Sequence, residues 1–130
     1  MDAVAVARDL LDRLGTAVSG RDAEATLALF APSCDVVLLG SEAGEQAYGW
    51  DELRAFLAHL YARPIGFGWE WSRVVADRRG DVLWFVASGN VVETVGDARS
   101  RTPYRFSGVA VGEPPRLAVL HGSEPVPPKS

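Results

Sequence analysis

The chain has one lysine, Lys129, one cysteine, Cys34, and two histidines, His59 and His121. The scarcity of lysine accompanies a net charge of −4. Phosphate backbones need a basic face, so nucleic acid is not an expected partner. A lone cysteine excludes an internal disulfide and a cysteine-only metal cluster. Cys34 adjoins a Val36-Val-Leu-Leu39 run and reads as a small buried side chain rather than a reactive thiol. The two histidines stand in unrelated settings and form no metal motif, and no cofactor is expected. No apolar run approaches the ~20 residues of a membrane span. The opening Met1-Asp-Ala-Val-Ala-Val-Ala-Arg-Asp9 interrupts its apolar residues with charge and lacks a basic leader, so a signal peptide is not expected. These absences predict a cytoplasmic protein with no membrane contact.

The residues that are present, 48% hydrophobic and 23% charged, are those of an ordinary globular domain. A chain of 130 residues forms one domain burying roughly two-thirds of its unfolded surface. We expect that domain over residues 1–125, with a loose Pro-rich tail at 126–130.

Apolar residues recur at Ala7, Leu10, Leu11, Leu14 and Val18, predicting a helix capped by Asp2 and ended by Gly20. A shorter helix follows, capped by Asp22, burying Leu27 and Phe30 and stopped by Pro32. Cys34–Leu39 reads as a short strand, with a brief returning strand at Gln46–Tyr48 after a polar loop. A third helix, with Asp51 as its expected cap, places Leu53, Phe56, Leu57 and Leu60 on one face, and His59 falls off that stripe. After Pro64 the period changes to two. Turn signals at Arg78-Arg-Gly80, Gly96-Asp97 and Gly112-Glu-Pro-Pro115 then divide the chain into four consecutive antiparallel strands.

Loop length sets hairpin register, and register sets which side chains share a face. A three-residue turn at Arg78–Gly80 pairs Trp71 with Ala87 and Trp69 with Gly89. A two-residue Gly96-Asp97 loop puts Gly89 opposite Tyr104 and Ala87 opposite Phe106. A loop over Gly112–Pro115 sets His121 opposite Phe106. One face then gathers Phe67, Trp69, Trp71, Phe85, Glu93, Tyr104, Phe106 and His121. The other gathers Trp84, Val86, Ser88, Asn90, Arg105 and Val109. The first face has the composition of a ligand cavity, and equally of a core covered by helices.

Helix, helix, short strand, helix and four long strands, in that order, resemble the cone-shaped α+β fold of nuclear transport factor 2-like proteins. Phe30-Ala-Pro-Ser-Cys-Asp-Val-Val-Leu-Leu39, Tyr48-Gly-Trp-Asp-Glu-Leu53, Pro103-Tyr-Arg-Phe-Ser-Gly-Val-Ala-Val111 and His121-Gly-Ser-Glu-Pro125 are similar to the SnoaL-like branch. The resemblance implies a strongly curved, mainly antiparallel sheet wrapped around three helices, a pocket at the wide end and frequent dimerisation through the sheet. It implies no single activity, because similar domains are isomerases, dehydratases, cyclases, epoxide hydrolases and binding modules. The three ketosteroid isomerase roles fall vacant, at Arg13 or Leu14, Leu38 and Thr102.

The expected site follows from these faces. His121 is the candidate catalytic residue, because imidazole moves protons near neutral pH. Trp69, Trp71, Tyr104, Glu93 and Tyr48 are candidate pocket residues for a small apolar or aromatic molecule. Trp84 and Arg105 are candidate contacts of a homodimer. Two functions stay open: a cofactor-independent isomerase, dehydratase or cyclase, and a non-catalytic ligand-binding or assembly module.

Overall fold

The structure, a computed structural model, describes residues 2–33 and 35–129. The expectation for Cys34 lies outside the described residues. Helix α1, Ala3–Ser19, begins where the Asp2 carboxylate accepts a hydrogen bond from the Ala5 amide at 2.8 Å. This satisfies one of the unpaired donors of the first turn. Its buried face is Ala7, Leu10, Leu11, Leu14, Ala17 and Val18. Helix α2, Ala23–Leu27, is capped by Asp22 in the same way, and Phe30 beyond it is only 1% exposed.

Helix α3, Trp50–Ala62, differs from expectation at its start. The N-cap is Gly49 at φ 87, a conformation that favours glycine, and Asp51 lies inside the first turn. Acidic side chains there complement the helix dipole without capping it. Leu53 and Leu57 face the core, and His59 is exposed.

Six strands form one mixed sheet in the order β2-β1-β6-β5-β4-β3. They are β1 (Val37–Leu39), β2 (Gln46–Tyr48), β3 (Gly66–Arg79), β4 (Val82–Val95), β5 (Ala98–Val111) and β6 (Arg116–Ser123). All neighbours are antiparallel except β1 and β6. The sheet curves around the helices, which cover its inner face.

The two-residue Gly96-Asp97 loop sets the β4/β5 register as expected, with Gly89 opposite Tyr104 and Ala87 opposite Phe106. The other two hairpins differ. Arg79 pairs with Val82, so the first loop is Gly80-Asp81. Gly80 takes the expected positive φ, at 60°. A bulge at Ser72 then absorbs one residue, and Trp71 lies opposite Gly89 while Trp69 lies opposite Val91. The last hairpin starts as expected, with Val111 opposite Arg116, but the register shifts beside Ala118. Such a bulge sends every later side chain to the other face. Phe106 therefore lies opposite Gly122, and His121 lies opposite Ser107 on the outer face.

The inner face runs in cross-strand rows: Trp71–Gly89–Tyr104, Val74–Ala87–Phe106–Gly122, and Ala76–Phe85–Gly108–Leu120–Leu38. The outer face holds Val75, Trp84, Val86, Arg105, Ser107, Val119 and His121. Among the described residues, no helix is long and apolar enough to cross a membrane.

Candidate functional site

Four aromatic rings from β3 and β5 meet on the inner face. Trp69 and Trp71 stack with centroids 6.5 Å apart and planes 5° from parallel. Residues two apart on a strand share a face, so this pair follows from the pleat. Phe106 packs on both, at 5.0 Å from Trp69 and 5.3 Å from Trp71. Tyr104 meets Phe106 edge-on at 5.3 Å, an arrangement the ring quadrupoles favour.

Between this cluster and the three helices lies a cavity of about 100 Å³. Its walls include Leu14 and Val18 of α1, Phe56 and Leu57 of α3, Trp69, Val91, Phe106 and Leu120. This space suits a molecule about the size of a six-membered ring and is smaller than the pockets that hold drug-sized ligands. Ser41, Glu42 and Glu124 are exposed and mark its mouth, with Glu45 half-buried behind them.

Polar groups reach the cavity at four places. Thr26, almost fully buried, shares a 2.8 Å hydrogen bond with the Tyr61 hydroxyl and donates to the Asp22 carbonyl at 2.7 Å. Burial raises the Tyr61 phenol above its ordinary range, with the Thr26 hydrogen bond opposing. Burial pushes the Tyr104 phenol up to about 12; a hydrogen bond with Ser41 opposes this, and Glu45 and Glu124 add to it. The Tyr104 phenol is therefore neutral at physiological pH and can donate a hydrogen bond. The Trp69 indole Nε1–H is buried with no protein acceptor among the described residues, a state that costs about 1–3 kcal/mol. Glu93 is half-buried beside Phe67, its partner across β3 and β4.

The expected site residues divide. Trp69, Tyr104 and Glu93 line the cavity. Trp71 stands behind Trp69 and lines a surface groove against Leu11, Gly15 and Thr16 of α1. Tyr48 is 55% exposed, paired with Val37 at the sheet's far edge. Trp84 and Arg105 lie on the outer face, exposed. His121 is exposed there too, so the geometry does not bring its imidazole to the cavity.

Sequence reasoning set Phe106 on the right face but passed over it as a site residue, although it touches every other ring of the cluster. It also missed the acidic mouth. Glu42 and Glu45 sit on an irregular loop with no period to read. The loop is close-packed at Gly40, where a Cβ would press against the Glu45 side chain at 2.7 Å.

Among the described residues, no group of three or more His, Cys, Asp or Glu side chains is placed to hold a metal ion.

Comparison with known proteins bears on both fold and site. The sequence matches the SnoaL-like domain family over residues 11–113. A comparison with curated proteins finds no match. The chain is similar in structure to a candidate dehydratase of the NTF2-like family from Streptomyces avermitilis, with a TM-score of 0.83. The two share 15% identity, over 95% of this chain and 96% of that one. It is also similar to an NTF2-like superfamily protein from Salmonella enterica serovar Typhimurium, at TM-score 0.81 and 13% identity, over 98% and 94% of the two chains. A candidate aromatic ring hydroxylase from Novosphingobium aromaticivorans gives TM-score 0.80 and 18% identity, over 96% and 90%. At such identities the likeness is one of fold, and activity does not transfer with it. The curved sheet closed over three helices is the fold these NTF2-like structures share, and the domain match spans most of the chain, so the chain belongs to the SnoaL-like domain family.

Proposed function

We propose that this protein binds a small, mainly apolar or aromatic molecule in the cavity beneath Trp69, Tyr104 and Phe106. The observation that carries this reading is the cavity itself, about 100 Å³ between the sheet and the helices. Protein interiors pack with few voids larger than a water molecule, so a space of this size at the centre of a fold points to an occupant. Aromatic walls favour a flat occupant, and the neutral Tyr104 hydroxyl offers it a donor.

Thermal shift and ligand-observed NMR with ring-sized aromatic and alicyclic probes test the reading. A probe at one hundred times its Kd is expected to add about 2.7 kcal/mol to stability. Trp69→Leu is expected to weaken binding by about tenfold or more, equivalent to ~1.4 kcal/mol. His121→Ala, on the outer face, is expected to leave binding unchanged. Absence of binding by any ring-sized probe, or loss of binding in His121→Ala with retention in Trp69→Leu, overturns the proposal.

A second reading, cofactor-independent acid/base catalysis, has its own support. A carboxylate, Glu93, and a neutral phenol, Tyr104, line one apolar cavity, and proton abstraction next to a carbonyl uses such a base and donor. An isomerase, dehydratase or cyclase would begin with that step. The test is deuterium exchange into cyclohexanone in D2O, read at the carbons beside the carbonyl. Wild-type protein is expected to exceed buffer, and Glu93→Gln to lose about 100-fold or more of the enhancement. A wild-type rate equal to buffer leaves ligand binding without chemistry.

Both readings include a homodimer joined through the outer face of the sheet. Support comes from Val75, Val86 and Trp84, which are 40%, 43% and 41% exposed and contiguous across β3 and β4.

A further inference from the structure

We infer that the occupant of this cavity is a small organic cation, a protonated amine carried on an apolar body of about ring size. This inference rests on the ligand-binding reading above and adds the sign of the ligand's charge.

The cavity makes the site, and its lining decides the charge. Four carboxylates line it, those of Glu42, Glu45, Glu93 and Glu124, with no lysine, arginine or histidine among the lining residues. The ion pairs among the described residues are Arg13–Asp9, Arg78–Glu113 and Arg101–Glu70, so none of the four carboxylates has a cationic partner within 4.0 Å. Among the described residues the Glu45 carboxylate accepts only the Glu42 amide, at 2.8 Å, and Glu124 accepts the Ser41 hydroxyl at 3.5 Å. These neutral donors orient the acids and leave their charge uncompensated. The field is felt inside: Glu45 and Glu124 both help to hold the Tyr104 phenol protonated.

An anion entering this mouth meets repulsion from several carboxylates, whereas a cation is drawn in. The interior adds to the preference, because Trp69, Tyr104 and Phe106 line it and aromatic rings attract a desolvated cation through their quadrupoles. A rigid aromatic box behind an acidic mouth is thus selective for charge as well as for shape.

The experiment compares three probes that share one ring: benzylamine, benzyl alcohol and benzoate. Titration calorimetry at low salt gives their affinities, and competition with benzyl alcohol shows whether benzylamine occupies the same space. Benzylamine is expected to bind about tenfold or more tightly than benzyl alcohol, and benzoate more weakly than either. The margin is expected to shrink as salt is added. In a Glu45→Gln/Glu124→Gln variant the gap between amine and alcohol is expected to narrow, with a thermal melt verifying that the variant is folded. If the alcohol binds and the amine binds no better, the charge inference fails and the cavity reading stands. If none of the three probes binds, both fail.

Discussion

Replacing Gly89 with alanine is expected to lower stability by about 3 kcal/mol or more, at the upper end of what overpacking costs. A Cβ built at Gly89 runs into the Glu70 backbone carbonyl and the Cα of Trp71. The obstacle is main chain, so no side-chain rotation relieves it. The cause lies across the hairpin, where the Ser72 bulge on β3 bends the strand over Gly89. Relief would require the bulge to move, and Trp69 and Trp71 with it. The same substitution at Gly15 is expected to have the opposite sign. Gly15 lies within α1, and nothing stands within 4 Å of its would-be Cβ. Alanine there gains about 0.5–1 kcal/mol of helix propensity. Thermal melts of the two variants therefore move in opposite directions from wild type, Gly89→Ala down by about 10 °C or more and Gly15→Ala up by a few degrees. A Gly89→Ala protein as stable as wild type would mean that β3 does not press on β4 at this point. The aromatic wall of the cavity would then lack the support described here.

The fold was legible because it rests on signals that survive without a partner. Asp2 and Asp22 cap their helices through their own side chains, Pro64 follows the end of α3, and the Gly96-Asp97 loop fixes the longest hairpin. The candidate site was less legible, and the reason is local. Two bulged residues, Ser72 and Ala118, carry no mark in the sequence, yet each changes the register by one. At Ser72 the bulge offsets a loop different from the expected one, and so Trp69 and Trp71 still face inward. At Ala118 the loop was as expected, and the uncompensated bulge moved His121 to the outside and Gly122 to the inside.

The exchange at β6 also has a packing reason. The Tyr104 hydroxyl and ring lie directly over Gly122, where any Cβ would collide with them. An imidazole opposite Phe106 would leave no room for the phenol, so Tyr104 and His121 cannot both face inward at this height of the cone. The strand glycines that lie beneath rings are Gly122, under Tyr104, and Gly108, under Phe85. The acidic mouth was not legible at all. It depends on the Gly40–Glu45 loop and on Glu124 after β6 converging from distant parts of the chain, and no spacing records that.

The outer face is expected to give the second large effect, because in the proposed homodimer a substitution at the twofold interface acts twice. Trp84 lies in a row with Val109, Val119 and Val37, beside a second row that holds Val75 and Val86. The protomer leaves this surface open, with Trp84, Val75, Val86 and Val119 all exposed by more than a third. Contiguous apolar surface of this kind marks an interaction site, and tryptophan is the residue that most often dominates one. Trp84→Asp is expected to weaken the homodimer by about 100-fold or more, two charges replacing two buried rings. Arg105, which lies across from Ser88 on the same face, falls at the rim of the proposed interface, and Arg105→Ala is expected to have the smaller effect. The aspartate is expected to cost the protomer little, since Trp84 lies on the outer face, away from the buried core, and strand preferences span only about 1 kcal/mol. Sedimentation across a concentration series separates the two contributions. Wild type is expected to sediment as a dimer at micromolar concentration and to melt higher as concentration rises. Trp84→Asp is expected to sediment as a folded monomer whose melting temperature does not depend on concentration. A wild-type monomer at every concentration would leave the apolar rows of the outer face without a second copy to cover them, and would reject the dimer.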